Sequence, residues 1–490
     1  MKRVRWSKIL SSRTSYPAPR PSHTMADATS SRGNLTFETS SPDSILAPRI
    51  GKLSIPGRAT LDTPHYVGYT SRGVIPHLTQ DMLRKNTDIN SMYLALEDFI
   101  EKAPQQTPPV FNTPCPTPDD SPLRRFAALP SDALLVLGPR RVPPIQCPGP
   151  NTNASVAVHT SVGFSSLTSA YYASAAQALR PDIVVGLGDI MYGHKKPSLK
   201  RMDKMGDRTT AWTRDMVAGR GGLDKTTKDT AYNIFAPILP IDREMQSWYL
   251  NELVDELRPH LSGLALYDAA SLAQTPEDLA PLPRLSLGDP ATPHALLHEM
   301  ALGMDLFTVP FITAVTDAGI AFSFTFPPTE ADTKVTQDSG SRLPLGIDMW
   351  NPSHATALAP LQPSCPCHAC TAHHCAYIHH LLHAKEMLGW VLLQVHNHSV
   401  LDRLFSAARA AIADGTFEDA RAAFAKVYEP TLPEKTGQGP RVRGYQYKSD
   451  GPAEPKRNPP AYRMLDAHKD ALEEDKAEGA VPDKNDDASD

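Results

Sequence analysis

Cys365, Cys367 and Cys370 stand within six residues, in the run Pro363-Ser364-Cys365-Pro366-Cys367-His368-Ala369-Cys370-Thr371, and a helix-patterned stretch leads on to His396. Cys-x-Cys-x2-Cys-x25-His brings three thiolates and one imidazole, the donor set of a closed tetrahedral zinc site with no position left for a catalytic water. Thiols one or two residues apart make poor disulfide partners, because a bridge needs well-separated Cα atoms with converging Cβ atoms. Cys375 is close by, so only Cys115 and Cys147 lie away from this cluster. His368, His373, His374, Cys375 and His398 are near enough in sequence to compete with His396 for the fourth position. His379 and His383 stand at i and i+4, which suits chelation, but His380 occupies the place where a zinc protease needs its glutamate. Packing or capping on a helix face is the favoured reading of that pair.

The rest of the chain must hold such a staple in place. At 490 residues and 41% hydrophobic content it has material for one large α/β domain or two to three smaller ones. A net charge of −5 announces no overall attraction to nucleic acid, although a local basic surface is compatible with it. Proline numbers 47, nearly twice the usual share of about 5%, and predicts long irregular segments. No run of about 18 apolar residues suggests a transmembrane segment. Clustered, reduced thiols suit a reducing compartment, so a cytoplasmic location is expected, with peripheral association at the mitochondrial outer membrane as a secondary expectation. Residues 1–24 carry Lys2, Arg3, Arg5, Lys8, Arg13 and Arg20 and no acid, a composition shared by mitochondrial transit peptides and by tails upstream of an internal start such as Met25.

Residues 1–48 read as a disordered N-terminal segment. Strand alternation begins with Leu53 and Ile55 and returns at Val67 and Tyr69, while residues 90–102 show helical spacing at Met92, Leu96, Phe99 and Ile100. Residues 103–130 form a Pro-rich insertion that reads as a mobile connection. Strand and helix patterns then alternate through residues 133–137, 167–179, 181–187, 199–217, 233–239, 244–257, 263–267, 293–302 and 304–311. That alternation predicts an α/β fold with a parallel sheet, and the number of units a TIM-like (β/α)8 barrel over residues 49–355. A zinc-binding subdomain is expected over 356–398, with a helix over 376–395. Packed C-terminal helices are expected over 399–428, and a disordered polar and acidic tail over 429–490.

The stretch from Pro363 to His398, with Ala376-Tyr377-Ile378-His379-His380-Leu381-Leu382, Glu386-Met387-Leu388, Leu392-Leu393 and His396-Asn397 after the cysteines, resembles the zinc subdomain of tRNA-guanine transglycosylases. Leu179-Arg180-Pro181-Asp182-Ile183-Val184-Val185 resembles the strand carrying that family's base-contacting acid. Leu302-Gly303-Met304-Asp305-Leu306-Phe307 resembles the strand entering its nucleophile position, and Arg284-Leu285-Ser286-Leu287-Gly288 sits where its substrate-facing glycine segment falls. The resemblance covers roughly residues 49–427 and implies a Cys365, Cys367, Cys370 and His396 zinc site, one Zn2+ per subunit.

Catalytic members exchange a guanine at the tRNA wobble position for a 7-deazaguanine, through attack of a carboxylate on the ribose C1′. That route needs a positioned anionic nucleophile and a second acid/base group. The family's nucleophilic aspartate corresponds to Thr308 here, its Asp-Ser-Gly-Gly segment to Leu137-Gly138-Pro139-Arg140, and its base-contacting aspartate to Gly188, with Asp189 one place later. Asp305 and Thr308 are three apart and face opposite sides of a strand. Asp317 is nine residues beyond Thr308, and Asp338-Ser339-Gly340-Ser341 comes in the wrong order. The resemblance therefore implies a subunit with no catalytic residue. Such a subunit would bind a catalytic partner in a heterodimer, with a homodimer as the alternative. It would also help hold tRNA, but not DNA, during exchange of guanine for queuine in tRNAs with GUN anticodons. Lys195, Lys196, Lys200, Arg201, Lys204 and Arg208 offer phosphate contacts, although the interleaved Asp203 and Asp207 also fit a plain solvated helix face. Two rivals remain: an active transglycosylase using Asp189, Asp268 or Asp305, and an unrelated nucleic-acid-binding zinc finger.

Overall fold

The computed structural model describes residues 34–41, 45–101, 103, 105–117, 120–147, 150–192, 197–220 and 232–440. The basic leader, Met25, Lys195, Lys196 and the acidic end of the tail lie outside the described residues. An antiparallel sheet of β1 (Thr36–Thr39), β2 (Gly51–Ser54) and β3 (Leu61–Thr63) comes first. There follow β4 (His65–Tyr69), α1 (Gln80–Asn86), β5 (Ser91–Ala95), α2 (Pro122–Phe126) and β6 (Leu134–Gly138). A hairpin of β7 (Ser155–Thr160) and β8 (Gly163–Thr168) precedes α3 (Ser169–Leu179), β9 (Ile183–Val185), α4 (Leu199–Gly219), β10 (Asn233–Ile238) and α5 (Ser247–Asp255). Next are β11 (Gly263–Leu266), β12 (Arg284–Ser286), α6 (Pro293–Leu302), β13 (Leu306–Thr308) and α7 (Phe311–Asp317). The chain then runs through β14 (Ile320–Phe322), α8 (Glu330–Ser339), β15 (Gly346–Asp348), α9 (His368–Ala372), α10 (Cys375–His383), α11 (Met387–Ala413) and α12 (Phe417–Val427).

Strands β4, β5, β6, β9, β10, β11, β12 and β13 close into the expected barrel in chain order, all parallel, with β13 pairing back onto β4. Alternation along each strand sorts its side chains into two layers. Val67, Tyr93, Leu134, Val136, Val185, Phe235, Ala265, Leu285 and Leu306 share one cluster in the lumen. Tyr66, Leu94, Leu135, Val184, Ile234, Leu264 and Phe307 belong to the outer cluster under the helices. Because both layers are apolar, a strand of this barrel shows no polar–apolar alternation. That explains why residues 91–95, read as helical, are a barrel strand: Ser91-Met92-Tyr93-Leu94-Ala95 is buried at every position.

Other expectations are corrected in the same way. Within residues 1–48, Thr36–Thr39 pair with β2; Leu53 and Leu61 of the small sheet, with Ile55 just after β2, join the lumen cluster. The Pro-rich stretch 103–130 carries a short 3₁₀ turn (Pro109–Asn112) and α2, with Val110 and Leu123 buried and Arg124 bonded to Asp182 at 2.9 Å. Residues 376–395 do not form one helix: α10 ends at His383, Lys385 takes φ +57°, and α11 then runs unbroken from Met387 to Ala413. Of the tail, residues 429–440 lie against the body, with the Glu429 carbonyl 2.8 Å from His294 Nε2 and Lys385 Nζ donating to Gln438 Oε1 at 3.0 Å.

One buried carboxylate locks the N-terminal end of the barrel. Arg49 Nε and Nη2 donate to the two oxygens of Asp305 (2.9 and 2.5 Å), and the Arg284 amide donates to Asp305 Oδ2 at 2.8 Å. Arg49 and Asp305 have no solvent-exposed side-chain surface.

A second polar contact joins α11 to the barrel wall. The Tyr66 hydroxyl donates to Asp402 at 2.6 Å and lies 3.3 Å from His398 Nδ1. Burial raises the Asp402 carboxyl to about 7. The folded protein thus holds this proton at pH values where the unfolded chain, with an ordinary carboxyl near about 3.9, has lost it. Folding stability from this group falls as pH rises between about 4 and 7. Asp402→Asn should remove that slope, seen as the wild-type-minus-variant difference in urea unfolding free energy; an unchanged slope would assign it elsewhere.

Candidate metal centre and barrel mouth

The metal loop and α11 bring the four sequence-marked donors together. Pro366 separates Cys365 from Cys367, and Cys367 caps α9, its sulfur accepting the Cys370 amide at 3.4 Å. His396 comes from the middle of α11, where it is fully buried. The ligand atoms of Cys365, Cys367, Cys370 and His396 all lie within 4.8 Å of one another. His396 Nδ1 is 3.7, 3.6 and 3.4 Å from the three sulfurs. A tetrahedral centre with Zn–S of about 2.3 Å and Zn–N of about 2.0–2.1 Å requires S···N separations of about 3.5–3.6 Å. The donor set therefore fits zinc in kind and in spacing.

In the absence of an ion, the four groups shift one another's protonation. Hydrogen bonding from Cys367 and Cys370 draws the Cys365 thiol far below its ordinary range, and sharing with Cys365 pushes Cys367 far above it. Against its burial, the Cys365 and Cys367 sulfurs raise His396 to about 9. These groups compete for shared protons, a conflict that a divalent cation resolves by taking all three sulfurs as thiolates.

The surroundings orient the imidazole. Nε2–H of His396 donates to the Phe322 carbonyl at 2.8 Å, leaving Nδ1 as the donor atom toward the sulfurs. Next to it, Asn397 accepts the Phe322 amide at 2.9 Å and donates to the Ile320 carbonyl at 3.1 Å, so its side chain reads the backbone of β14. The competing donors are engaged elsewhere. His398 faces Tyr66 and Gln394, Cys375 donates to the Pro360 carbonyl at 3.5 Å, and His374 caps α10. His368 and His373 contact one another edge to face at 5.4 Å. His379 and His383 direct Nδ1 to the Met349 and His379 carbonyls, so this i, i+4 pair does not chelate through those atoms.

At the C-terminal ends of the barrel strands, where enzymes of this architecture place their chemistry, several side chains are tied up beside a cavity of about 210 Å³ lined by Arg140, Asn151, Ile190, Tyr192 and Arg201. Thr308 is fully buried, and its hydroxyl donates to the Ser286 carbonyl on the neighbouring strand at 3.1 Å. At the end of β6, a Cβ on Gly138 would fall 1.8 Å from the Tyr93 hydroxyl, which donates to the Arg140 carbonyl at 2.8 Å. The Tyr93 phenol thus occupies the space of a side chain at position 138. Tyr267 packs on both the lumen cluster and a second cluster of Ile190, Met202, Met205, Leu239 and Ile241. Arg140 lies 5.0 Å over the Tyr192 ring.

Asp189 has no oxygen to spare. Arg201 donates to both of its oxygens (2.7 and 2.6 Å), Arg208 to one at 3.0 Å, and Asn151 to the other at 2.7 Å. These bonds direct it toward α4 and the segment before β7. They also commit two members of the basic stretch inward, leaving Lys200 and Lys204 exposed. Asp305 is paired with Arg49 at the opposite end of the barrel, and Asp268 is an exposed cap on the Ala270 amide at 2.9 Å. Asp317 pairs with His77 at 2.6 Å, and Asp338-Ser339-Gly340-Ser341 is an exposed helix end. Sequence reading passed over Glu299, which burial raises to about 7 and which accepts the Ser286 hydroxyl at 2.6 Å. Ser286 neighbours the lumen residue Leu285 and so faces outward, placing Glu299 between β12 and α6, behind the barrel wall.

A family model described as queuine tRNA-ribosyltransferase matches residues 44–430. The chain belongs to this family. Among curated relatives it is 31% identical over 424 residues to the queuine tRNA-ribosyltransferase accessory subunit 2 of Schizosaccharomyces pombe, covering 84% of this chain and 89% of that protein. The accessory subunit 2 of Xenopus laevis is 28% identical over 413 residues, 75% of this chain and 94% of the relative, and that of Anopheles gambiae 26% identical over 407 residues, 77% and 87%. No helix among the described residues is long and apolar enough to cross a membrane.

Proposed function

We propose that this chain is the non-catalytic subunit of a queuine tRNA-ribosyltransferase. It would support exchange of guanine for queuine at the wobble position of tRNAs with GUN anticodons by binding the catalytic subunit and tRNA. The observation that supports this reading is Thr308: at the residue the resemblance matches to the family's nucleophile, a buried hydroxyl donates to the Ser286 carbonyl, where attack on C1′ needs an ionised carboxylate. Zinc is the ion we assign to Cys365, Cys367, Cys370 and His396, with a structural role because the four donors leave no open position. RNA contact, in this reading, is by backbone and shape, with Lys200 and Lys204 as available cations.

The deciding experiment is incorporation of labelled queuine into tRNA by this chain alone, by the catalytic subunit alone and by both after co-purification. Activity is expected only when the catalytic subunit is present and highest with both; exchange by this chain alone would overturn the proposal. Within the complex, Thr308→Ala should leave kcat/KM within about twofold, since a group that acts in the transition state is worth about tenfold per 1.36 kcal/mol removed. A hundredfold drop would return Thr308 to the chemistry.

A further inference from the structure

We infer that Arg403 is the counter-charge and clamp of the metal centre, an inference that rests on the reading of Cys365, Cys367, Cys370 and His396 as a zinc site. Three thiolates and a neutral imidazole around a divalent cation sum to one negative charge. Cys365 and Cys367 are only 5% and 7% exposed, so this charge is held in a poorly solvated place, where an uncompensated charge is costly. Arg403 Nη2 lies 3.6 Å from Cys365 Sγ, within hydrogen-bonding distance for sulfur. It stands seven residues after His396 in α11, two helical turns on, and so projects from the same face.

The same guanidinium holds the loop that carries the cysteines. Nη2 also donates to Gln362 Oε1 at 2.5 Å, and Nε donates to the Ser399 carbonyl at 3.3 Å. Gln362 in turn donates from Nε2 to the Ser323 and Phe324 carbonyls, both at 3.2 Å. His396 donates to the Phe322 carbonyl, immediately before that pair. One planar fork therefore ties the metal loop to α11, while Gln362 and His396 fasten both to the chain leaving β14. A lysine ammonium would supply the charge but lacks the fork. Donation to the Cys365 sulfur withdraws electron density from it, which favours the thiolate and makes it a weaker nucleophile toward electrophiles.

The test uses the full chain with zinc bound. Zinc content of the wild type comes first: absence of about one ion per chain would sink the zinc reading itself, separately from the role of Arg403. Chelator competition then compares the wild type with Arg403→Met, Arg403→Lys and Gln362→Ala. Loss of an outer-shell partner typically costs about 10–100-fold in metal affinity, the range expected for Arg403→Met. Arg403→Lys should recover part of that loss, and Gln362→Ala, which keeps the cation, should lose less than Arg403→Met. Cobalt substitution gives a readout that a purely structural role would not move: the sulfur-to-cobalt charge-transfer band should shift to longer wavelength when the Cys365 donor is removed. Should Arg403→Met fail to fold, Arg403→Lys carries the test, with an intermediate band shift. Affinity within twofold of wild type in Arg403→Met, or a band unmoved in every Arg403 variant that folds, would overturn the inference.

Discussion

Cys367→Ser should abolish metal binding and unfold the region around the metal loop. The serine oxygen replaces a thiolate that faces His396 Nδ1 at 3.6 Å and caps α9 through the Cys370 amide; a serine hydroxyl still caps the helix, so the substitution acts by removing a metal ligand. Closed zinc sites contribute an apparent ~10–16 kcal/mol in zinc-finger peptides. Whole domains have only ~5–15 kcal/mol to lose. Without the ion, His396 remains buried beside two sulfurs with unresolved protons, and the hold of the metal loop on α11 is lost. The expected result is a chain without stoichiometric zinc by elemental analysis, cleaved by protease within residues 357–386, and failing to co-purify with the catalytic subunit. A variant that kept about one zinc per chain and the wild-type Tm would contradict the ligand assignment.

Asp305→Asn should destabilise the barrel by about 3–5 kcal/mol, the usual cost of removing one partner from a buried ion pair. Arg49 would then keep its charge with no anionic partner, only one neutral amide oxygen at position 305 and the Ala280 and Leu282 carbonyls, at 2.7 and 2.8 Å, as acceptors. Replacing both partners, as Arg49→Met with Asp305→Leu, should recover only part of that loss. The double replacement removes the unpaired charge but leaves the Arg284 amide and the Leu282 carbonyl without these partners, while the Ala280 carbonyl keeps Arg284 Nη2 at 3.2 Å. Urea unfolding of the single and double variants measures both effects. The same Asp305 variant bears on the active-enzyme rival: in the complex at a temperature where it stays folded, queuine exchange should be unimpaired, whereas loss of turnover without loss of fold would make Asp305 a chemical group.

Much of the metal centre was legible because its chemistry is local. Cys365, Cys367 and Cys370 are near neighbours whose spacing limits what they can do, and His396 follows on a helix pattern that survives in the structure. The partners that finish the site were not legible. Arg403, Gln362 and the Phe322 carbonyl lie 40 to 81 residues from one another, and nothing in their types marks them for a metal. Strand β5 was misread for a related reason: burial on both faces erased the period of two on which strand recognition rests. The order within residues 103–130 comes from tertiary anchors such as Arg124 on Asp182, and proline content alone could not announce it.

The barrel mouth divides in the same way. Sequence by itself determined the residue types where the resemblance places the family's chemical groups, Thr308, Gly188 and Leu137-Gly138-Pro139-Arg140, because residue identity needs no coordinates. Only the tertiary structure decided where the neighbouring acids point. Asp189 turns to Arg201, Arg208 and Asn151, and Asp305 closes the far end of the barrel with Arg49. The physical reason is that a carboxylate is defined by its partners. Those partners come from α4, the segment before β7 and the loop before β2, which only the folded chain brings within hydrogen-bonding distance.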